Sequence, residues 1–191
     1  MTASTERTPR IEPLQPPYEP EVARTLERLM PPGVEPLKLF RTVAVNHAVL
    51  ERFRTTGAYL LNFGTVEPAD REVVIHRTCA LCGCEYEWGV HATVFGRPLG
   101  FTDEQLAASV HGDANDPAWS DRQRLLVRLA DELHGDAAVS DELWAELAAQ
   151  WSREQLVELL ALAGFYHLVS YLANSARVEL EEAGERFPRS R

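Results

Sequence analysis

Three times this chain places a hydroxyl residue three positions before a glutamine: Thr102…Gln105, Ser120…Gln123 and Ser152…Gln155. That spacing is the reciprocal helix cap, in which the hydroxyl accepts from the backbone N–H three residues on and the amide reaches back to the N–H of the capping residue. A chain that opens helices so repeatedly is constrained toward a helical fold. Pro36 and Pro68 add two more start signals, because proline suits the first turn, where its missing N–H costs nothing. Leu125, Leu126, Leu129 and Leu133 form one apolar stripe at helical spacing, and Leu156, Leu159, Leu160 and Ala163 form another. No stretch alternates at period two for long enough to argue for a sheet, so the expected fold class is all-α.

The punctuation predicts helices at about 21–30, 36–45, 47–62, 68–82, 84–96, 103–111, 120–134, 140–150, 152–163 and 165–184. Gly100, Gly112 and Gly135 mark ends, and the turn-rich stretch 111–119 joins two halves of one bundle. A faint internal repeat supports the halves: Arg71-Glu72 recurs as Arg153-Glu154, Gly83 as Gly164, and Tyr86 as Tyr166. Residues 1–19, with Pro9, Pro13, Pro16 and Pro17, read as a flexible N-terminal arm, and 20–191 as a single domain.

Of 191 residues, 45% are hydrophobic, enough for a real core, and 19 basic against 29 acidic residues give a net charge of −10. An acidic chain without a basic cluster repels phosphate backbones, which argues against a nucleic-acid partner. No apolar run approaches the roughly 20 residues of a membrane span, and the N-terminal residues lack the apolar stretch of a secretory signal. A cytoplasmic protein with no membrane partner is expected. All three cysteines, Cys79, Cys82 and Cys84, fall within six residues. Stapling would join distant parts of the chain, so this clustering points to chemistry and not to a disulfide framework.

The informative segment is 71–92, REVVIHRTCALCGCEYEWGVHA. A helix beginning at Cys84 carries Glu87 and His91 at i+3 and i+7, so a thiol, a carboxylate and an imidazole share one stripe. Glu87 and His91, four apart, suit a proton-transfer pair, since a carboxylate on one imidazole nitrogen raises basicity at the other. The helix N-terminus would favour a Cys84 thiolate, while Glu72, Glu85 and Glu87 oppose it. His76, four after Glu72 on the same face, is a secondary candidate. Tyr86 and Trp88 flank Glu87 and line either a pocket or the core, and Arg71, Arg77 and Arg97 are the basic groups nearest the segment. Cys79 and Cys82 read as small core residues, and His47, His111 and His134 as groups at helix ends. A zinc set of Cys79, Cys82, Cys84 and His91 is disfavoured because a continuous helix scatters the sulfurs around its axis. No metal and no cofactor is expected.

Glu72, then Cys84 twelve residues on, then CEYEWGVH resembles the carboxymuconolactone decarboxylase and alkylhydroperoxidase D-like (AhpD-like) superfamily. A tyrosine in a long apolar helix followed by an asparagine, Tyr166 to Asn174, extends the resemblance over about 36–184. The resemblance implies paired helical hairpins assembled as a homo-oligomer, a trimer or hexamer. It matches Glu72 to a relay glutamate, Cys84 to the first cysteine of a Cys-x-x-Cys, and His91 to the histidine. Glu87 stands where the peroxidase branch has its second, attacking cysteine, and the decarboxylase branch is similar to this chain in having a Glu four before the His. Cys79-Ala-Leu-Cys82 lies five residues too early, with Tyr86 where that register would need a histidine. The leading expectation is cofactor-free acid–base chemistry, decarboxylation or isomerisation, on a small acidic or carbonyl compound. A thiol peroxidase is the alternative, with Cys84 as nucleophile and Cys82 or an external thiol or lipoyl reductant resolving it. A non-catalytic binding protein of the same fold is the third reading.

Overall fold

A computed structural model describes residues 8–189. Among them are nine α-helices and no strand: α1 (Pro20–Glu27), α2 (Lys38–Val43), α3 (His47–Asn62), α4 (Pro68–Leu81), α5 (Glu85–His91), α6 (Asp103–His111), α7 (Asp121–Asp136), α8 (Asp141–Ala148) and α9 (Arg153–Ala176). A π-helical turn, Ala92–Gly96, continues α5 directly. The three reciprocal caps open α6, α7 and α9 as their spacing predicts.

The centre of the bundle is α4, which packs against α5, α6, α7 and α9. Ten consecutive residues, Asp70 to Cys79, are buried. A helix surrounded on all sides must bury whatever polar groups it carries, and each then needs a partner. Asp70 accepts from Arg122 at 2.8 Å, Arg71 donates to the Leu61 carbonyl at 2.8 Å, and Arg77 pairs with Asp131 at 2.6 Å while also donating to the Ser109 and Gly112 carbonyls.

A left-handed glycine ends α4. Gly83 has φ +60°, its N–H bonds the Ala80 carbonyl at 2.9 Å, and the Cys84 N–H bonds the Cys79 carbonyl at 2.8 Å. These two bonds are the Schellman closure, and they deliver Cys84 as the N-cap of α5.

Several boundaries differ from expectation. Instead of two helices meeting at Gly164, α9 is one 24-residue helix that ends at Ala176 and not near 184. Its buried stripe, Leu159, Leu162, Tyr166, Val169 and Ala173, crosses the glycine unbroken, and continuous burial outweighs the small helix penalty of one exposed glycine. By length and composition α9 is also apolar enough to cross a membrane, contrary to the reading that no run approaches that length, but half of its apolar window is buried in the bundle, as in a core helix. Pro36 lies two residues before α2, outside its first turn, and the left-handed residue closing α7 is Ala137, after Gly135. Residues 1–7 of the arm lie outside the described residues. Residues 8–19 lie along the body, with the Arg10 N–H on the Ala176 carbonyl at 2.8 Å and Leu14 packed against the core.

Residues 177–189 cross back over α5 as an extended strap. Tyr86 donates to the Glu181 carboxylate at 2.6 Å, the Phe187 N–H donates to Glu85, and the Phe187 ring packs on Trp88. Gly89 lies so close under the Glu185 backbone that a Cβ there would collide with its carbonyl.

Candidate active site

Glu72, on the buried face of α4, and His91, at the end of α5, meet in the core. The hairpin turn at Gly83 reverses the chain so that residues 19 apart face each other. His91 Nδ1 is 2.8 Å from Glu72 Oε2, and its Nε2 is 2.9 Å from the Tyr166 hydroxyl and 3.4 Å from Glu87 Oε1. One imidazole thus sits between two carboxylates and a phenol. Phe95, on the π-helical turn, stacks on the ring at 4.8 Å. Widened turns of this kind recur at functional sites, and here the widening presents Phe95 to the histidine.

The electrostatics follow from burial and charge. Burial alone pushes His91 toward neutrality, but the Glu72 charge and hydrogen bond, joined by Glu87, overcome it and hold the imidazole up to about 9. Burial raises the Glu72 carboxyl, but His91, with help from His76 and Arg71, brings it below its ordinary value. The favoured state at neutral pH is an imidazolium flanked by carboxylates. Glu72 and His91 are almost wholly buried, whereas the Glu87 side chain keeps 11% of its surface open. Glu87 is therefore the group through which the site meets solvent.

Cys84 is fully buried beside Glu87. Desolvation and the Glu87 charge raise its thiol to about 12, against a lowering contribution from the Glu87 backbone N–H, so the protonated thiol prevails. The helix-terminus benefit expected from sequence is present and outweighed. His76 donates from Nδ1 to the Glu72 carbonyl at 2.7 Å and lies 3.8 Å from Glu72 Oε2; burial pushes it down to about 4, leaving a neutral ring stacked on Phe101.

The structure separates the remaining candidates from this cluster. Tyr86 turns outward to Glu181 and accepts from the Leu39 N–H at 3.0 Å. Cys82 lies near His134 on the surface, while Cys79 is fully buried in the core. Arg77 is committed to Asp131, and Arg97 to Glu185 and Asp103, so only Arg71 touches the cluster, 3.5 Å from Glu72 Oε1. Tyr166 was visible in sequence as a tyrosine in an apolar helix, but nothing in its neighbourhood signals that its hydroxyl meets an imidazole 75 residues earlier.

Residues 47–132 match the carboxymuconolactone decarboxylase family model. Curated proteins yield no match. Among solved structures, a peroxidase-related protein from Silicibacter sp. TM1040 is 16% identical, covers 98% of this chain and all of its own, and superposes with a TM-score of 0.80. An AhpD-core, peroxidase-related protein from Ralstonia eutropha JMP134 is 15% identical over 90% of this chain and 93% of its own, with a TM-score of 0.76. The debrominase Bmp8 is 14% identical over 91% and 92%, with a TM-score of 0.72. The segment 47–132, which holds Glu72, Cys84, Glu87 and His91, matches the carboxymuconolactone decarboxylase family model, and the chain as a whole has the AhpD-like fold.

Proposed function

We propose that the protein is a cofactor-free acid–base enzyme acting on a small carbonyl- or carboxylate-bearing molecule. The observation that carries this reading is the His91 imidazole held between Glu72 and Glu87 while the neighbouring thiol is held protonated. Glu72 fixes the Nδ1–H and stabilises the cation, as a positioning residue. His91 Nε2–H is the proton donor, and Glu87, the least buried member, contacts substrate and returns protons from solvent. In a decarboxylation the carbon–carboxylate bond breaks, CO₂ leaves, and the electron pair passes to the carbonyl as an enolate. His91 delivers its proton to that carbon and regains one through Glu87. In an isomerisation the same pair removes and replaces a proton.

The test uses CO₂ release and proton exchange on a panel of β-keto acids and carboxylated lactones, alongside consumption of hydrogen peroxide and cumene hydroperoxide. His91→Ala or Glu87→Gln should lower turnover by about 10²–10⁴-fold, and Cys84→Ser should leave most of it. Peroxide consumption abolished by Cys84→Ser would establish the thiol peroxidase instead, and absence of any turnover together with tight ligand binding would establish a binding protein.

Assembly into a homo-oligomer belongs to the same proposal. Tyr59 and Val157 share a surface concavity between α3 and α9 and are 53% and 67% exposed, with Phe63 at 73% at the end of α3. Sedimentation should give a trimer or hexamer, and a stable monomer at micromolar concentration would contradict it.

A further inference from the structure

A second constellation lies on the surface, away from the Glu72–His91 cluster. Cys82 caps the end of α4, His134 lies in the last turn of α7, and His167 sits near the middle of α9. One ligand atom of each lies within 4.8 Å of the other two. His134 Nδ1 is 3.0 Å from His167 Nε2 and 3.9 Å from Cys82 Sγ.

We propose that these three side chains form a binding site for a zinc-class divalent metal ion. With bonds of about 2.0–2.3 Å to nitrogen and sulfur, tetrahedral ligand atoms stand roughly 3.3–3.6 Å apart. The observed 3.0 and 3.9 Å bracket that spacing, and the exposed His134 ring supplies the small adjustment. The ligands are also held as metal ligands are held. His167 donates its Nδ1–H to the Ala163 carbonyl at 2.8 Å, which fixes the tautomer and leaves the Nε2 lone pair facing His134. Asn174 donates to the Cys82 carbonyl at 2.9 Å and pins the turn that carries the thiol.

One sulfur and two imidazoles, with no carboxylate, form a donor set of borderline softness suited to zinc and cobalt and poorly suited to magnesium or calcium. Binding forms one metal–sulfur and two metal–nitrogen bonds and releases the thiol proton to solvent, so affinity rises with pH. Exposure at His134 leaves a fourth position for water. The ion would tie three helices whose ligands lie 52 and 33 residues apart, and it would remove Cys82 from the free thiols two residues before Cys84.

The experiment titrates the full metal-free chain with Co²⁺ and Zn²⁺ alone. One equivalent of Co²⁺ should give a thiolate-to-cobalt charge-transfer band with tetrahedral d–d bands, and Zn²⁺ should displace it and protect Cys82 from alkylation, read by mass spectrometry. Cys82→Ser should abolish the charge-transfer band. His134→Gln, at an exposed position, and His167→Gln should each weaken binding at least about tenfold. Cys84→Ser should retain the band and the stoichiometry. No charge-transfer band, or binding unchanged in His134→Gln, or binding lost in Cys84→Ser, would overturn the proposal.

Discussion

Residues 71–86 and 153–166 share an Arg-Glu pair, a glycine and a tyrosine, yet the chain reverses at Gly83 and runs straight through Gly164. Open space does not distinguish the glycines, because a Cβ would meet nothing within 4 Å at either. Backbone conformation does: Gly83 is left-handed at φ +60°, and Gly164 is ordinary helix. The reversal folds α5 back along α4 and brings His91 to Glu72. The straight run carries Tyr166 past the turn to reach His91 from the opposite side. One repeat, read in two conformations, thus supplies opposite walls of one site, and neither copy alone could build it.

The corresponding glutamates sharpen the contrast most. Glu72 is buried against an imidazolium, while Glu154 lies in the exposed first turn of α9. Glu72→Gln should cost about 3–5 kcal/mol in urea unfolding, since it strands a buried charge, whereas Glu154→Gln should barely move the midpoint. Equal effects would mean that the His91–Glu72 pair is not a buried ion pair in solution.

The pH dependence of stability tests the same pair. His91, raised to about 9, contributes stability that is complete below its ordinary 6.5 and is lost as pH climbs through 9. His76, lowered to about 4, acts oppositely: its contribution is present above 6.5 and lost as pH falls toward 4. Thermal unfolding should therefore peak near pH 6.5, and Glu72→Gln should flatten the alkaline limb. Turnover that needs the His91 imidazolium should also fall above pH of about 9.

The glycines come next. Gly83→Ala should destabilise by about 1–2 kcal/mol, because an L side chain strains at positive φ. Gly164→Ala should stabilise by up to about 1 kcal/mol, by raising helix propensity at an exposed site. Loss of stability in both would show that α9 bends at Gly164 in solution.

The smallest effects belong to the tyrosines. Tyr166→Phe removes one hydrogen bond, worth about 0.5–1.5 kcal/mol, and should shift the pH profile of turnover by changing what Nε2 faces. Tyr86→Phe removes two, the donation to Glu181 and the bond accepted from the Leu39 N–H, so it should cost somewhat more, leave that profile alone, and raise hydrogen exchange in 177–189.

Much of this architecture was legible from local chemistry. A reciprocal cap is specified by residues three apart, so α6, α7 and α9 begin where their sequences say. Glu87 and His91, four apart on α5, were likewise readable as a pair. Glycine is ambiguous in sequence, because it can end a helix or sit unnoticed within one, and only the burial of Leu159, Leu162, Tyr166 and Val169 decides for Gly164. The contacts that escaped prediction are those made across the fold: Tyr166 with His91, and Cys82 with His134 and His167. For the Cys84 thiol the helix end and the opposing carboxylates are local and were readable, while the burial that raises it most comes from the whole bundle.

The strap over α5 bears on the order in which the molecule is completed. Its bonds to Tyr86 and Glu85 span 95 and 102 residues, and Tyr166 arrives 75 residues after His91. During synthesis, which proceeds one residue at a time, α4 and α5 are finished long before anything can cover them. The nascent hairpin therefore keeps Glu72 and His91 in water, where an imidazole and a carboxylate are hydrated at no penalty. Their enclosure is completed only when α9 and the strap bring Tyr166 and the bonds to Tyr86 and Glu85, so the last segments made are the ones that finish burying the charge.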